Sequence, residues 1–389
     1  MSTDLVIVLA VAAAIPLLLG LLPRVPVPGA LAEIVAGVLV GPSLLGWVHP
    51  DGIIRALSVL GLSFLLFLAG FEVDVRRFRG RMGSRVLIAL GGSMVLAAVA
   101  GLAFAATGMR GGMLIAIALL ATSLGLVIPV LADAGALHTR VGTIAVACAS
   151  AGEMAAVVAL SLGVAGSDTP LAGRLVLLGL LVVLLAVVGA VVVGAEHVGR
   201  VAALVDRLAD TSAQIRIRLT VLLVAGVALA AASLGFEAIL GAFLAGVMMR
   251  TLDPEPEISH PHYPVKLEAV GFGLLIPVFF VTSGVTLDVS GLVDNPSALA
   301  GVPLLVAALL VVRGLPVLAF RGDLSRSEPL GCRALQATSL PFLLTIAPIG
   351  IDGPARTGHR SRTGGRGPRV GAGIPLARAE TAGVVGGCR

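Results

Sequence analysis

The amino-acid sequence predicts an all-α polytopic membrane protein. Of its 389 residues, 57% are hydrophobic and 13% are charged, whereas soluble globular proteins carry about 25% charged residues. Apolar runs of roughly 17–25 residues, the length of a helix that crosses a bilayer, recur along the chain. Little sequence remains between these runs, so a large soluble domain is not expected.

Twelve apolar runs predict twelve membrane-spanning helices. The predicted spans are 4–22, 28–46, 56–73, 86–106, 111–132, 141–164, 172–194, 218–234, 236–249, 267–286, 297–319 and 331–351. Residues 1–4 lack the basic segment of a signal peptide, so the first span is expected to be retained.

The basic residues predict how these spans are oriented. Loops after odd-numbered spans hold 16 Arg or Lys residues, and loops after even-numbered spans hold three. Because basic loops stay in the cytoplasm, we expect a multi-pass protein of the cell (plasma) membrane with its N-terminus outside. The segregation also accounts for the net charge of +5, so the lipid bilayer is the expected partner and nucleic acid is not.

Glu153 is the most informative residue in the predicted span 141–164. It is the only acidic or basic residue in the 27 positions between Arg140 and Asp168. A carboxylate at bilayer depth is costly unless it is hydrated, paired or protonated. Desolvation there favours the protonated form, so Glu153 is a candidate site for binding a proton or a cation.

Two predicted spans, 111–132 and 331–351, each contain a Thr-Ser pair followed by proline. The pairs are Thr122-Ser123 and Thr338-Ser339. Proline frees a backbone carbonyl that hydroxyls can satisfy, and helices broken at equivalent positions point to a transport site at the membrane midplane. Ordinary kinked helices are the alternative.

Arg313 is a second charge deep within a predicted span, 297–319. An arginine stays charged there and needs a partner or water, and Glu153 is the natural candidate. The alternative is an arginine that extends its side chain to the membrane surface.

No cofactor, resident metal or enzymatic chemistry is expected. The three cysteines show no Cys-x-x-Cys spacing, and His260 and His262 lack a third ligand. No His-Glu-x-x-His motif, Gly-x-Ser-x-Gly motif or pair of catalytic carboxylates appears within a predicted span.

A weak internal repeat relates the two halves of the chain. The matches are Ala121–Leu124 with Ala337–Leu340, Gly70 and Asp74 with Gly284 and Asp288, and Glu33 and Gly37 with Glu237 and Gly241. The matched spans lie seven apart, an odd number, so the halves would be inverted in the membrane, as in many secondary transporters. Chance is the alternative in a chain rich in alanine and leucine.

Four segments resemble the second family of the monovalent cation:proton antiporter superfamily, which includes the Kef-type and Nap-type proteins. The segments are Pro28–Gly46, Phe67–Asp74, Leu240–Gly246 and Pro277–Gly284. The resemblance implies a core domain with two crossed broken helices that slides against a dimerisation domain, and hence a homodimer. It places Glu153 at the ion-binding carboxylate, Gly152 where many members have a first acidic residue, and Arg313 where many have lysine.

The resemblance implies exchange of Na⁺ or K⁺ for protons through Glu153. With Gly152 unable to ionise and Arg313 unable to release a proton easily, we expect electroneutral exchange of one proton per cation. The hydroxyls of Thr122, Ser123, Thr338 and Ser339 would complete the oxygen shell. The alternatives are an inactive or regulatory relic of an antiporter and an inverted-repeat transporter of an organic anion.

The chain changes character after about residue 352. Residues 353–373 are rich in Gly and Arg and contain no Leu or Ile, although the repeat predicts a thirteenth helix there. We therefore expect a transmembrane exchanger domain over 1–352 and a tail over 353–389. The tail is either frame-shifted, since reading one nucleotide later permits an apolar helix, or disordered because of its composition.

Overall fold

The computed structural model of this chain describes most of the first 320 residues. The described residues are 3–21, 28–73, 80–106, 111–124, 127, 131, 135–136, 139–164, 170–197, 199–209, 211–253, 262–287, 289 and 296–320. They all belong to one compact unit, Met1–Gly350. The predicted span 331–351, the pair Thr338-Ser339 and the 353–389 tail lie outside the described residues.

All regular structure in these ranges is helical. The helices are α1 Thr3–Leu21, α2 Gly29–Val40, α3 Gly52–Phe71, α4 Gly80–Ala106, α5 Gly112–Leu120, α6 Arg140–Val164, α7 Leu171–His197, α8 Gly199–Ala209, α9 Ile215–Ser233, α10 Ala238–Leu252, α11 His262–Thr286 and α12 Pro296–Gly314. A π-helical turn, Gly271–Leu275, interrupts α11, and a 3₁₀ helix, Leu315–Phe320, extends α12.

The predicted all-α membrane fold is confirmed. Helices lie at each of the eleven predicted spans that fall within the described residues. Eight are long and apolar enough to cross a membrane, while α2 and α10 are shorter apolar helices. The sequence analysis did not predict α8, whose apolar residues alternate with Arg200, Asp206 and Arg207 at helical spacing and therefore give no continuous apolar run.

Burial separates lipid-facing helices from those of the interior. In α7, 17% of the most apolar window is buried, and α1 is exposed to a similar extent. In contrast, 72% of the corresponding window of α6 is buried, the largest share among the eight candidate spans. The helix that carries Glu153 therefore lies inside the protein, and the apolar surfaces of α1 and α7 face outward, where lipid would cover them.

Several helix pairs pack at backbone contact through glycines, among them α2–α11 and α3–α10. In the α2–α11 pair, a Cβ at Gly37 would collide with the Val281 carbonyl and one at Gly284 with the Ile34 carbonyl. In the α3–α10 pair, a Cβ at Gly246 would collide with the Phe67 carbonyl and one at Gly70 with the Phe243 carbonyl. Small residues allow such approach where apolar burial between helices supplies little driving force in lipid.

Candidate functional site

The site begins where α5 stops. After Leu120 the backbone becomes extended, with φ −68° and ψ 147° at Ala121, and Thr122 and Ser123 are also non-helical. Thr122 is 1% exposed and Ser123 is also buried. A helical turn resumes at Leu124, where the Val127 N–H donates to the Ser123 carbonyl. The end of α5 leaves carbonyl groups, and the start of the next turn leaves N–H groups, without intrahelical partners. This interruption, predicted from the Thr-Ser pair, therefore places polar backbone groups in the interior.

Glu153 takes one of these groups as its partner. It lies near the middle of the continuous helix α6, and its side chain is 6% exposed. The backbone N–H of Leu124 donates a hydrogen bond of 3.1 Å to Oε2 of Glu153. The buried carboxyl group therefore touches the interrupted segment and does not face lipid.

Arg313 also forms a hydrogen bond with this interrupted segment. Its Nε donates to the Thr122 hydroxyl at 2.6 Å, and Nη2 donates to the Cys148 carbonyl at 3.1 Å. A longer contact of 3.5 Å joins Nη1 to the Ser93 hydroxyl. Arg313 is 4% exposed, so its side chain is held in the interior and does not extend to the surface.

Gly152 lies against the guanidinium of Arg313. A Cβ at residue 152 would lie 2.7 Å from Cζ and from Nη1 of Arg313, and nearer still to Nη2. These separations are below any normal carbon contact. The position that the family resemblance gives to a first acidic residue is thus filled by the guanidinium itself.

The structure brings together most of the predicted site residues that it describes. Thr122 and Ser123 share the extended segment that joins Arg313 to Glu153 through Leu124. A direct ion pair between Glu153 and Arg313 stays a prediction, because the hydrogen bonds described here lead to other partners. Thr338 and Ser339 lie outside the described residues.

Sequence reasoning missed three groups of the site. The Leu124 N–H and the Cys148 carbonyl are backbone groups, and no side-chain pattern identifies them. Ser93 left a weak signal, as a hydroxyl within the apolar helix α4, but nothing in the sequence links it to Arg313.

A second carboxylate, Glu72, lies at the C-terminal end of α3. Its Oε2 is buried and has no hydrogen-bond partner among the described residues. Glu72 is therefore a buried carboxyl group that the sequence analysis did not single out, and the hydrogen bonds described here do not link it to Glu153.

A buried carboxyl group against an interrupted helix, in a multi-pass helical protein, is the arrangement of secondary transporters. Residues 7–356 match the family described as sodium/hydrogen exchanger, transmembrane, and the chain belongs to that family. The resemblance to monovalent cation:proton antiporters is thereby confirmed.

Similar proteins of known description agree with this family. The chain is 30% identical over 365 residues to the putative Na⁺/H⁺ antiporter YjbQ of Bacillus subtilis, covering 89% of this chain and 57% of YjbQ. It is 26% identical to the Na⁺/H⁺-K⁺ antiporter GerN of Bacillus cereus, covering 69% of this chain and 68% of GerN. The chain thus spans little more than half the length of YjbQ.

The fold is also that of a solved transporter. The structure of the sodium proton antiporter MjNhaP1 from Methanocaldococcus jannaschii superposes with a TM-score of 0.66, covering 91% of this chain and 87% of MjNhaP1. At 17% sequence identity, this likeness concerns the fold alone.

Proposed function

We propose that this protein is a secondary active transporter that exchanges Na⁺ or K⁺ for protons across the cell membrane through Glu153. The observation that carries the proposal is the buried carboxyl group that accepts a hydrogen bond from the Leu124 N–H at the interrupted helix. The family, and its relatives YjbQ and GerN, which are described as antiporters, support the same conclusion.

Exchange requires that one site hold either a proton or a cation. The Leu124 N–H occupies one carboxylate oxygen of Glu153, which leaves the other oxygen for the competing ions. Hydroxyls and carbonyls of the interrupted segment around Thr122 and Ser123, together with Thr338 and Ser339, would replace water around a dehydrated cation. A deprotonated, empty site would carry a bare charge through an apolar barrier, so only the loaded forms cross.

The charges around Glu153 favour electroneutral exchange. Gly152 supplies no second titrating group beside it. Arg313 is already committed to Thr122 and Cys148, and a guanidinium keeps its charge through the cycle. One proton would therefore leave for each monovalent cation that binds.

Glycine packing supports the inverted repeat. The α2–α11 contacts become the α3–α10 contacts when α2 is superposed on α10 and α3 on α11. Gly37 then corresponds to Gly246, an offset of 209 residues, and Gly70 corresponds to Gly284, an offset of 214. The 214-residue offset is also that of the sequence match between Gly70 and Gly284. The 209-residue offset differs from the 204 residues between Glu33 and Glu237, so that sequence match is not part of this symmetry. This symmetry favours two crossed broken helices, with the second within 331–351.

The remaining features of the proposal follow from the sequence and the family. They comprise twelve spans, an N-terminus outside the cell membrane and a homodimer in which a core domain slides against a dimerisation domain. The charge segregation of the loops supports the orientation.

The test is cation-driven proton release in proteoliposomes with Glu153→Gln. This variant keeps the size of the side chain but cannot exchange a proton, so exchange should be lost. Glu33→Gln is the matched control, because Glu33 is also a buried carboxyl group but lies on α2; it should retain exchange. Full exchange by folded Glu153→Gln would remove the proposal, and no exchange by folded wild-type protein would favour an inactive or regulatory relic.

A further inference from the structure

We infer that Arg313 is a positioning residue that holds the interrupted segment of α5 in register with Glu153, and that it can do so only because residue 152 is glycine. The inference deepens the proposed function, on which it rests for its transport readout. The two departures from the family pattern, Gly152 and Arg313, are then one coupled feature.

The guanidinium joins three separate elements. It donates to Thr122 in the interrupted segment after α5, to the Cys148 carbonyl in α6 and, at longer range, to Ser93 in α4. A planar guanidinium presents donors in a fixed fork, so these partners define its position closely. Lysine, with a single ammonium, cannot reproduce that fork.

Gly152, which has no side chain, leaves the space that the Arg313 guanidinium occupies. The guanidinium lies where a side chain at residue 152 would begin, because a Cβ there would come within 2.7 Å of Cζ. Any larger residue must therefore push the guanidinium away from its partners. Gly152 is next to Glu153 in the chain. The same turn of α6 therefore fixes both the packing of Gly152 against Arg313 and the location of the Glu153 carboxyl group.

The guanidinium acts on Glu153 through the backbone. Thr122, which accepts from Nε of Arg313, is two residues from Leu124, which donates to Glu153. Only Ser123, which is not helical, separates them, and Leu124 begins the helical turn that follows. As a first-turn donor, the Leu124 N–H has no intrahelical acceptor and depends on Glu153 as its partner. A shift of Thr122 would therefore move the Leu124 N–H relative to the carboxylate.

A small cavity borders the guanidinium. It is lined by Val86, Ala89, Ser93, Cys148, Arg313 and Pro316, among others. The guanidinium is therefore not closely packed on this side, and its hydrogen bonds to Thr122 and Cys148 are what hold it against residue 152. A side chain at residue 152 that displaces it would be expected to break one of these bonds.

The experiment is a double-mutant cycle of Gly152→Ala, Arg313→Lys and the double variant. In proteoliposomes, each single variant should raise the KM for Na⁺ about tenfold, the factor expected for loss of one hydrogen bond made by a charged group. The double variant should be no worse than the poorer single variant, because no guanidinium is left for the added methyl group to displace. Gly163→Ala on the same helix is the matched control, since its Cβ would meet only the flexible ends of Met113 and Ile117, and it should leave the KM unchanged.

The thermal unfolding midpoint of the wild type and these three variants in detergent provides a readout that does not depend on transport. The inference is supported if the effects of Gly152→Ala and Arg313→Lys are non-additive both in the KM for Na⁺ and in the unfolding midpoint. It is overturned if the effects are additive in both, or if they are non-additive in the midpoint while the KM stays unchanged. If Glu153→Gln retains exchange, the proposed function fails, while the midpoint cycle still tests the contact between Gly152 and Arg313.

Hydrogen–deuterium exchange provides a check that needs only one folded variant. Arg313→Lys should speed amide exchange at residues 121–124 relative to the wild type, because the segment loses its bond at Thr122. Unchanged protection of this segment contradicts the positioning role.

Discussion

Shortening Glu153 by one methylene group tests the geometry of the site without removing its charge. In Glu153→Asp the carboxylate withdraws by roughly 1.5 Å, one carbon–carbon bond. The bond from the Leu124 N–H is 3.1 Å long in the native protein. It would open beyond the range of about 2.7–3.2 Å in which an amide hydrogen bond forms.

The expected loss follows from the nature of that bond. A hydrogen bond to a charged group contributes about 1.5–3 kcal/mol, which corresponds to about a 10- to 150-fold weaker apparent affinity for Na⁺. Aspartate still titrates, so the maximal rate should be retained in part, whereas Glu153→Gln should show no exchange.

The assay is the Na⁺ dependence of proton release from proteoliposomes at fixed pH, with equal amounts of folded protein reconstituted. A KM in Glu153→Asp equal to that of the wild type would refute the reasoning. It would mean that the carboxylate does not need the interrupted segment in order to bind the cation.

Two further predictions address packing and stoichiometry. Gly70→Ala should destabilise the protein by about 1–3 kcal/mol, because its Cβ would force α3 away from α10; Gly226→Ala on α9, which meets nothing within 4 Å, should be neutral in the same thermal unfolding measurement. If one proton competes with one cation at Glu153, a tenfold rise in Na⁺ should move the pH of half-maximal exchange down by about one unit, whereas two protons per cation would give about half that shift in the measured pH profiles.

Hydropathy and isolated charges were enough to predict much of the fold and two residues of the site. A run of apolar residues fixes the location of a span, because backbone groups in lipid must be satisfied within a helix. Glu153 and Arg313 stood out for the same reason, since each is a charge surrounded by apolar sequence. The break after α5 could be predicted because Thr122 and Ser123 precede a proline.

The features that could not be predicted from the sequence depend mainly on how the helices pack against one another. Glu72 lies near the predicted end of its span, where a carboxylate is usually hydrated, and its burial follows from packing that periodicity does not encode. The α8 helix gave no signal because its charged face lowers the mean hydropathy of the segment. The contact between Gly152 and Arg313 joins residues 161 positions apart, and only the arrangement of α6 against α12 brings them together.

The distribution of fixed and variable charge explains why the proposed exchange would be coupled. Arg313 donates hydrogen bonds to Thr122 and Cys148, so its positive charge would stay in place through the proposed cycle. The Leu124 N–H is a fixed dipole that favours the ionised carboxylate but cannot neutralise it. In the proposed exchange, Glu153 would be the group whose charge changes, and in a low-dielectric interior its bare anion would be costly to move. A proton and a cation would then be alternative ways of neutralising Glu153 before its helix moves, and neither ion would need a second binding site.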